Sequence, residues 1–326
     1  MGIFGKLRLP AWDQAEGNPH VTPGLQLLAA EDWDGLAAIY RSLAPSDRYH
    51  FIQGLGRLST IDSDLPTDMD DPALAAILAG IRIGWAWRHR GSAPANDVTQ
   101  MGFDNMRRCL RAAEPMLAAA SDVASGDTTI TACQIRCEMG LGGDYAVLAK
   151  LTHRLSQANE HNIFAALNHL IFVAPKWHGS IEEMWKTANM YAGKPHNAAW
   201  VAMAARAHVE EWLYSFSLGE DRDLRIAYSN KLHDPAFREF AGTIDALFWE
   251  TLDRTPAMTG SEAVVAHNNM AGLLVMVQAI DLSRRHFQCI GPYMTETPLG
   301  YFSRAENPIE ALNGWRKRTG LPLLKA

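Results

Sequence analysis

His208 and Glu211 stand three positions apart, a spacing found among metal ligands. At this spacing both side chains project from one side of a helix, as in the carboxylate-bridged metal sites of helical bundles. Such a site needs a second helix with matching ligands, and Glu262 and His267 match it poorly. The pair therefore favours a polar patch on a partly buried helix face, and we predict no metal and no cofactor.

Cys133 and Cys137 are four positions apart on a predicted helix, close enough to bind a metal or to oxidise together. Structural zinc requires two more ligands in a similar arrangement, and none stands near them in the sequence. Cysteine also behaves as a small hydrophobic residue in protein cores. We therefore expect both side chains in the core, as reduced thiols.

Two pairs of neighbouring residues are candidates for binding a partner or ligand. Trp177 and His178 lie in a turn between predicted helices, where an imidazole can reach a ligand and a tryptophan can equally cover the edge of the core. Asn268 and Asn269 interrupt an apolar helix. An asparagine there either hydrogen-bonds an extended peptide along a concave wall or satisfies another helix.

The chain carries no catalytic signature. It has no Gly-x-Ser-x-Gly elbow, no His-Glu-x-x-His run and no kinase-like set of motifs. The glycines at 140–143 lack the Lys-Ser/Thr pair of a phosphate loop. Residues 85–90 (Trp-Ala-Trp-Arg-His-Arg) form the one aromatic and basic cluster. Cations at this position are typical of a helix C-terminus, and an anion site is the alternative.

Composition excludes several classes of protein. A hydrophobic content of 48 % with 20 % charged residues is typical of a globular chain. The net charge of −6 argues against a nucleic-acid partner, because phosphate binding requires a basic surface. No apolar run is long enough for a membrane span, and the N-terminus lacks the apolar core of a signal peptide. We predict a cytoplasmic protein.

Helical periodicity dominates the sequence, and no convincing strand alternation is present, so the predicted fold class is all-α. An acidic residue followed by a large apolar one opens three predicted helices, at Asp32, Asp144 and Asp281. Ser180 with Glu183 forms a capping-box pattern at a fourth. The predicted helices after residue 72 span 73–90, 101–120, 128–139, 144–156, 162–173, 180–191, 198–218, 236–252, 262–279, 281–290 and 309–318.

These helices suggest three regions: an N-terminal helical unit at 1–58, an acidic linker at 59–72 and a helical-repeat domain at 73–326. The linker is rich in aspartate and contains two prolines, a composition typical of solvated segments. Paired helices that cannot bury their apolar faces alone must stack on one another. The expected architecture is therefore a series of stacked antiparallel helical hairpins.

Across residues 268–291 an Asn-containing apolar helix is followed by Asp-Leu-Ser-x-x-x-Phe-x-x-Ile-Gly. This stretch resembles the hairpin of tetratricopeptide-like helical repeat proteins. Pro-Lys-Trp-His-Gly-Ser at 175–180 and Ala-His-Val-Glu at 207–210 are similar to bacterial members of that group. The resemblance implies a right-handed array and a scaffold for proteins or peptides, although the irregular spacing of the pattern departs from a strict repeat.

Two functions follow from these observations. The first is a non-catalytic scaffold, a monomer or weak homodimer, that binds a protein or peptide and neither nucleic acid nor membrane. The second is an enzyme or small-molecule-binding protein with a pocket between helices, possibly metal-dependent. The candidate binding residues are Trp177, His178, His208, Glu211, Asn268 and Asn269.

Overall fold

The computed structural model describes residues 15–61, 64–67, 69–91, 95–218, 221–295, 297–302 and 308–324, and within them the chain is helical without strands. Short 3-10 turns occupy Ala95–Asp97 and Leu299–Phe302, and a π-helical segment spans Leu213–Leu218. The α-helices are α1 (Val21–Ala29), α2 (Trp33–Ser42), α3 (Pro45–Leu58), α4 (Pro72–Arg90), α5 (Gln100–Val123), α6 (Thr128–Leu141), α7 (Tyr145–Gln157), α8 (Ile163–Phe172), α9 (Ile181–Ala192), α10 (Ala198–Trp212), α11 (Arg222–His233), α12 (Pro235–Arg254), α13 (Gly260–Met276), α14 (Ile280–Ile290) and α15 (Pro308–Arg318). The all-α prediction is confirmed.

Two of the three predicted acidic caps are confirmed. Asp32 accepts a hydrogen bond from the Gly35 backbone N–H at 2.9 Å, and Asp144 accepts one from Ala146 at 2.7 Å. Both carboxylates satisfy N–H groups that have no partner within the helix. The third prediction is wrong, because Asp281 lies inside the first turn of α14 rather than at its N-cap.

Other helix boundaries show where local sequence signals predict a helix end and where they do not. α4 ends at Gly91, whose φ of +70° is a backbone conformation that glycine adopts without strain. α5 continues through Pro115 without a break. The predicted helix at 198–218 changes to a π-helix after Trp212, and α11 is missing from the sequence-based prediction.

The chain divides into two compact units, which we call the first unit (Asn18–Ala188) and the second unit (described residues 15–17 with Asn189–Ala326). The predicted linker at 59–72 lies within the first unit. Its described part is bound to α4: the Arg82 guanidinium donates to the Leu65 carbonyl at 2.6 Å, and the Trp85 indole donates to the Ser59 hydroxyl at 2.9 Å.

In the first unit α4 is buried along most of its length and contacts α2, α3, α5 and α6. Glycines allow the close approach of α3 and α4. A methyl group added at Gly84 would lie 2.6 Å from the Gly56 Cα atom. Cys133 and Cys137, on α6, are buried in the same unit, which confirms that they are core residues.

In the second unit α10 packs on α13, and α13 packs on α14. One apolar cluster joins α13, α14 and α15 through residues that include Ala271, Phe287 and Leu312. α10 also buries charge: the Arg206 guanidinium donates to Glu210 Oε1 at 2.6 Å from one turn earlier in the same helix. Within the described residues, no helix combines the length and apolarity that crossing a membrane requires.

We expect the Gly84→Ala substitution to lower the free energy of unfolding by about 1–3 kcal/mol, because the added methyl group collides with backbone atoms of α3. Urea unfolding followed by far-UV circular dichroism measures the change.

Gly314→Ala is the matched control, since outside the neighbouring backbone of α15 no atom of the described residues lies within 4 Å of the added methyl group. It should leave stability unchanged or raise it by about 0.5–1 kcal/mol through helix propensity. Equal effects of the two substitutions would contradict the packing argument.

Candidate functional site

Two adjoining cavities in the first unit share Arg107, Leu141 and Gly142, and we call them together the basic groove. The larger, the polar cavity, has a volume of about 420 Å³ and is lined by Arg107, Arg111, Glu114, Glu138, Leu141, Gly142 and Asp144. The smaller, the apolar cavity, has a volume of about 220 Å³ and is lined by Arg90, Ala95, Phe103, Met106, Arg107, Met139, Gly140, Leu141, Gly142, Trp177 and His178.

Local helix geometry supplies the cationic side of the groove. Arg107 and Arg111 are four positions apart in α5, so they project from one side of that helix about 6 Å apart along its axis. Arg90 is the last residue of α4, immediately before the terminating Gly91. Arg107 and Arg111 are both exposed.

Aromatic packing fixes the position of Arg90. The Trp87 and Trp177 rings meet edge to face with centroids 5.2 Å apart. The Arg136 guanidinium lies 3.7 Å from the Trp87 centroid, and the Arg90 guanidinium lies 5.5 Å from the Trp177 centroid. These cation–π contacts hold a partly buried cation at the wall of the apolar cavity, and burial lowers the Arg90 pKa.

Hydrogen bonds with Met139 and Tyr145 hold His178 in place. Its Nε2 lies 2.9 Å from the Met139 carbonyl oxygen, which only accepts hydrogen bonds, so Nε2 carries a proton. The Tyr145 hydroxyl donates to the His178 carbonyl at 2.9 Å. Gly143, with φ of +76°, leaves room for the imidazole, since a methyl group added there would lie 2.4 Å from the ring.

Two of the three carboxylates in the groove, Asp144 and Glu138, have local roles, and the third is Glu114. Asp144 caps α7, and the Asp144 backbone N–H donates to Glu138 Oε1 at 2.9 Å. Arg107 lies 4.0 Å from Asp104, and an exposed pair at that distance contributes at most about 1 kcal/mol. Among the described residues no carboxylate oxygen lies within 4 Å of the Arg111 guanidinium. The groove therefore offers cationic groups to a ligand.

His208 and Glu211 lie together, but in the second unit. Their closest side-chain atoms, Nδ1 and Oε2, are 4.0 Å apart. The Lys231 ammonium donates to both Glu211 oxygens at 2.8 Å, and the buried His208 ring packs 4.7 Å from the Phe237 ring. Burial and Lys231 hold the pKa of His208 well below its usual range. No three histidine, cysteine or acidic side chains of the described residues converge on a position for a metal ion.

Asn268 and Asn269 are buried in α13. The Asn268 amide donates to the carbonyls of Val264 at 2.8 Å and Tyr293 at 3.1 Å, and its oxygen accepts from the Thr295 N–H at 3.0 Å. Asn268 thus anchors the segment that follows α14 rather than another helix. Asn269 is 3 % exposed, and its Oδ1 accepts no hydrogen bond within the described structure.

The structure thus brings Trp177 and His178 to one cavity and places the other four candidate residues in the second unit. Sequence reasoning missed Arg107 and Arg111, whose i, i+4 spacing on an amphipathic helix was the available signal. It assigned Trp87 and Arg90 to a helix C-terminus, with an anion or nucleic-acid site as the alternative.

A second polar cluster in the second unit was also missed. The His286 Nε2 atom lies 2.7 Å from Asp245 Oδ1, and the Nδ1 atoms of His286 and His267 are 2.9 Å apart. The Trp249 indole donates to the same Asp245 oxygen at 3.1 Å. With both rings neutral, His286 donates to Asp245 and His267 donates to His286, so one proton lies in each contact.

Comparisons of this chain with protein-family models, curated proteins and solved structures give no match.

The buried histidines predict a loss of stability in acid. Burial lowers the pKa of His267 to about 3 and lowers that of His286, whereas an unfolded histidine titrates near 6.5. Between pH of about 6.5 and 3 the unfolded chain binds more protons, so the free energy of unfolding falls as the pH falls. We expect His267 to account for a loss of about 1–2 kcal/mol between pH of about 6.5 and 5, measurable by urea unfolding at each pH, and His286 to add to it.

The His267→Gln variant should lose less stability over the same interval, because glutamine keeps a hydrogen-bonding side chain without a titrating group. Part of the decline in the free energy of unfolding should persist in this variant, since burial also lowers the pKa of His169 to about 4. Identical pH dependence in the parent and the variant would contradict a role for His267.

Proposed function

We propose that this protein is a non-catalytic helical scaffold that binds an acidic peptide segment of a partner protein in the basic groove. The observation that carries the proposal is the convergence of Arg90, Arg107 and Arg111 on two adjoining cavities. In the apolar cavity Arg90 and Arg107 lie without a carboxylate among the described lining residues, although the chain as a whole has a net charge of −6. A local excess of positive charge favours a ligand of the opposite sign.

The spacing of the arginines supports an extended peptide as the ligand. Arg107 and Arg111 are separated by about 6 Å along α5, and alternate residues of an extended chain are separated by nearly 7 Å on one face. Two carboxylates at alternate positions therefore match the two guanidinium groups. Arginine is suited to this role because its planar fork binds a carboxylate through two hydrogen bonds.

The wider interpretation is a tetratricopeptide-like right-handed array in the cytoplasm, present as a monomer or weak homodimer. Packing between consecutive helices such as α3, α4, α5 and α6 is consistent with it. The mixture of arginines with Glu114, Glu138 and Asp144 suits a peptide better than a nucleic acid, since a phosphate backbone requires a continuous basic surface.

The alternative function, an enzyme or small-molecule-binding protein with a pocket between helices, has less support. Its metal-dependent form would use His208 and Glu211, but both Glu211 oxygens accept hydrogen bonds from Lys231. A carboxylate paired in this way is a poor metal ligand until the lysine is displaced.

The Arg107→Gln/Arg111→Gln double substitution tests the scaffold function. The probes are two fluorescein-labelled peptides, one of alternating glutamate and serine and one with lysine in place of glutamate. We expect the glutamate peptide alone to bind, with an affinity that falls as salt rises. The double substitution should weaken it at least about tenfold, because each charge-assisted hydrogen bond contributes about 1.5–3 kcal/mol. Fluorescence anisotropy measures the salt dependence of the affinity and the effect of the double substitution.

Arg108→Gln is the matched control, because Arg108 is an exposed arginine of α5 that lines neither cavity. Its affinity for the glutamate peptide should stay within about twofold of the parent. Binding of neither peptide, or an equal loss in the control, would overturn the proposed function.

A further inference from the structure

We propose that the peptide ligand carries one large apolar side chain beside its acidic residues, and that the apolar cavity of the basic groove holds this side chain. The inference rests on the proposed function and names the partner more closely: an acidic segment with a single aromatic or large aliphatic residue.

The walls of the apolar cavity are suited to a hydrocarbon group. Phe103, Met106, Met139 and Trp177 line it, and the two charged groups among its lining residues are Arg90 and Arg107. Phe103 and Trp177 are half-buried, so part of their aromatic surface is open to a ligand. Covering apolar surface is favourable in proportion to the area removed from water. Methionine walls also adapt to the shape of the group they receive.

The volume limits the occupant to about one side chain. The cavity measures about 220 Å³, and a cavity of about 150 Å³ is known to accept benzene. A phenylalanine or leucine side chain therefore fits, whereas a drug-sized molecule needs at least about 300 Å³. One residue inserted from a chain that continues along the groove meets this limit.

Arg107 fixes the distance between the apolar residue and the acidic ones. It lines both cavities, so a side chain in the apolar cavity lies beside the guanidinium group that a carboxylate binds from the polar cavity. In an extended peptide, residues on one face repeat every two positions. An acidic residue must therefore stand within about two positions of the apolar one.

The test compares two labelled glutamate–serine peptides of equal charge, one with a central phenylalanine and one with a central alanine. We expect the phenylalanine peptide to bind about tenfold more tightly. Ala95→Phe adds a ring at an exposed position of the cavity lining and should abolish the difference between the peptides. Phe103→Ala removes one wall and should also reduce it.

Ala119→Phe is the matched control, since it adds the same ring to an exposed position of α5 outside both cavities. It should preserve the tenfold preference, and thermal unfolding checks that each variant is folded.

Equal affinity of the parent for both peptides would overturn this inference and leave the proposed function intact. Binding of neither peptide would overturn both, and a preference that survives Ala95→Phe and Phe103→Ala would place the apolar residue elsewhere.

Discussion

The first unit depends on the burial of α4 on nearly every side. A helix that is apolar all round must be surrounded by other elements, and α2, α3, α5 and α6 cover this one. Gly56 and Gly84 make the arrangement possible, because the α3 and α4 backbones approach too closely for any side chain at Gly84. With α4 held in this way, its last turn carries Trp87 and Arg90 to a fixed position at the apolar cavity.

Charge is distributed so that two of the three carboxylates of the groove serve the fold, while Arg107 and Arg111 are exposed beside them. Asp144 caps α7, and Glu138 accepts a hydrogen bond from the turn before it. Placing a carboxylate at a helix N-terminus lowers its electrostatic influence, since the helix dipole is positive there. Arg107 and Arg111 have no comparable role in helix capping. A chain that is acidic overall can therefore present a local cationic site.

The second unit buries polar groups in a different way. His267, His286 and Asp245 form a chain of short contacts, and Arg206 pairs with Glu210 inside the same unit. Buried groups of this kind contribute little net stability, because desolvation offsets much of their attraction. The contacts of Asp245, His286 and His267 join α12, α14 and α13, and the histidines make this arrangement sensitive to acid.

The sequence by itself determined most of the helices and several of their ends, because capping and termination depend on residues within one turn. Examples are the caps Asp32 and Asp144 and the terminating Gly91. Each acts on backbone groups close to it in the chain. Only the tertiary structure decided which residues meet. Trp87 reaches Trp177 across ninety positions of the chain, and no local pattern records that contact. Periodicity identified Asn268 as an unusual polar residue but left two roles open. In the structure its amide binds the segment after α14, a partner that no local pattern indicated, because a buried amide must find its partners inside the fold.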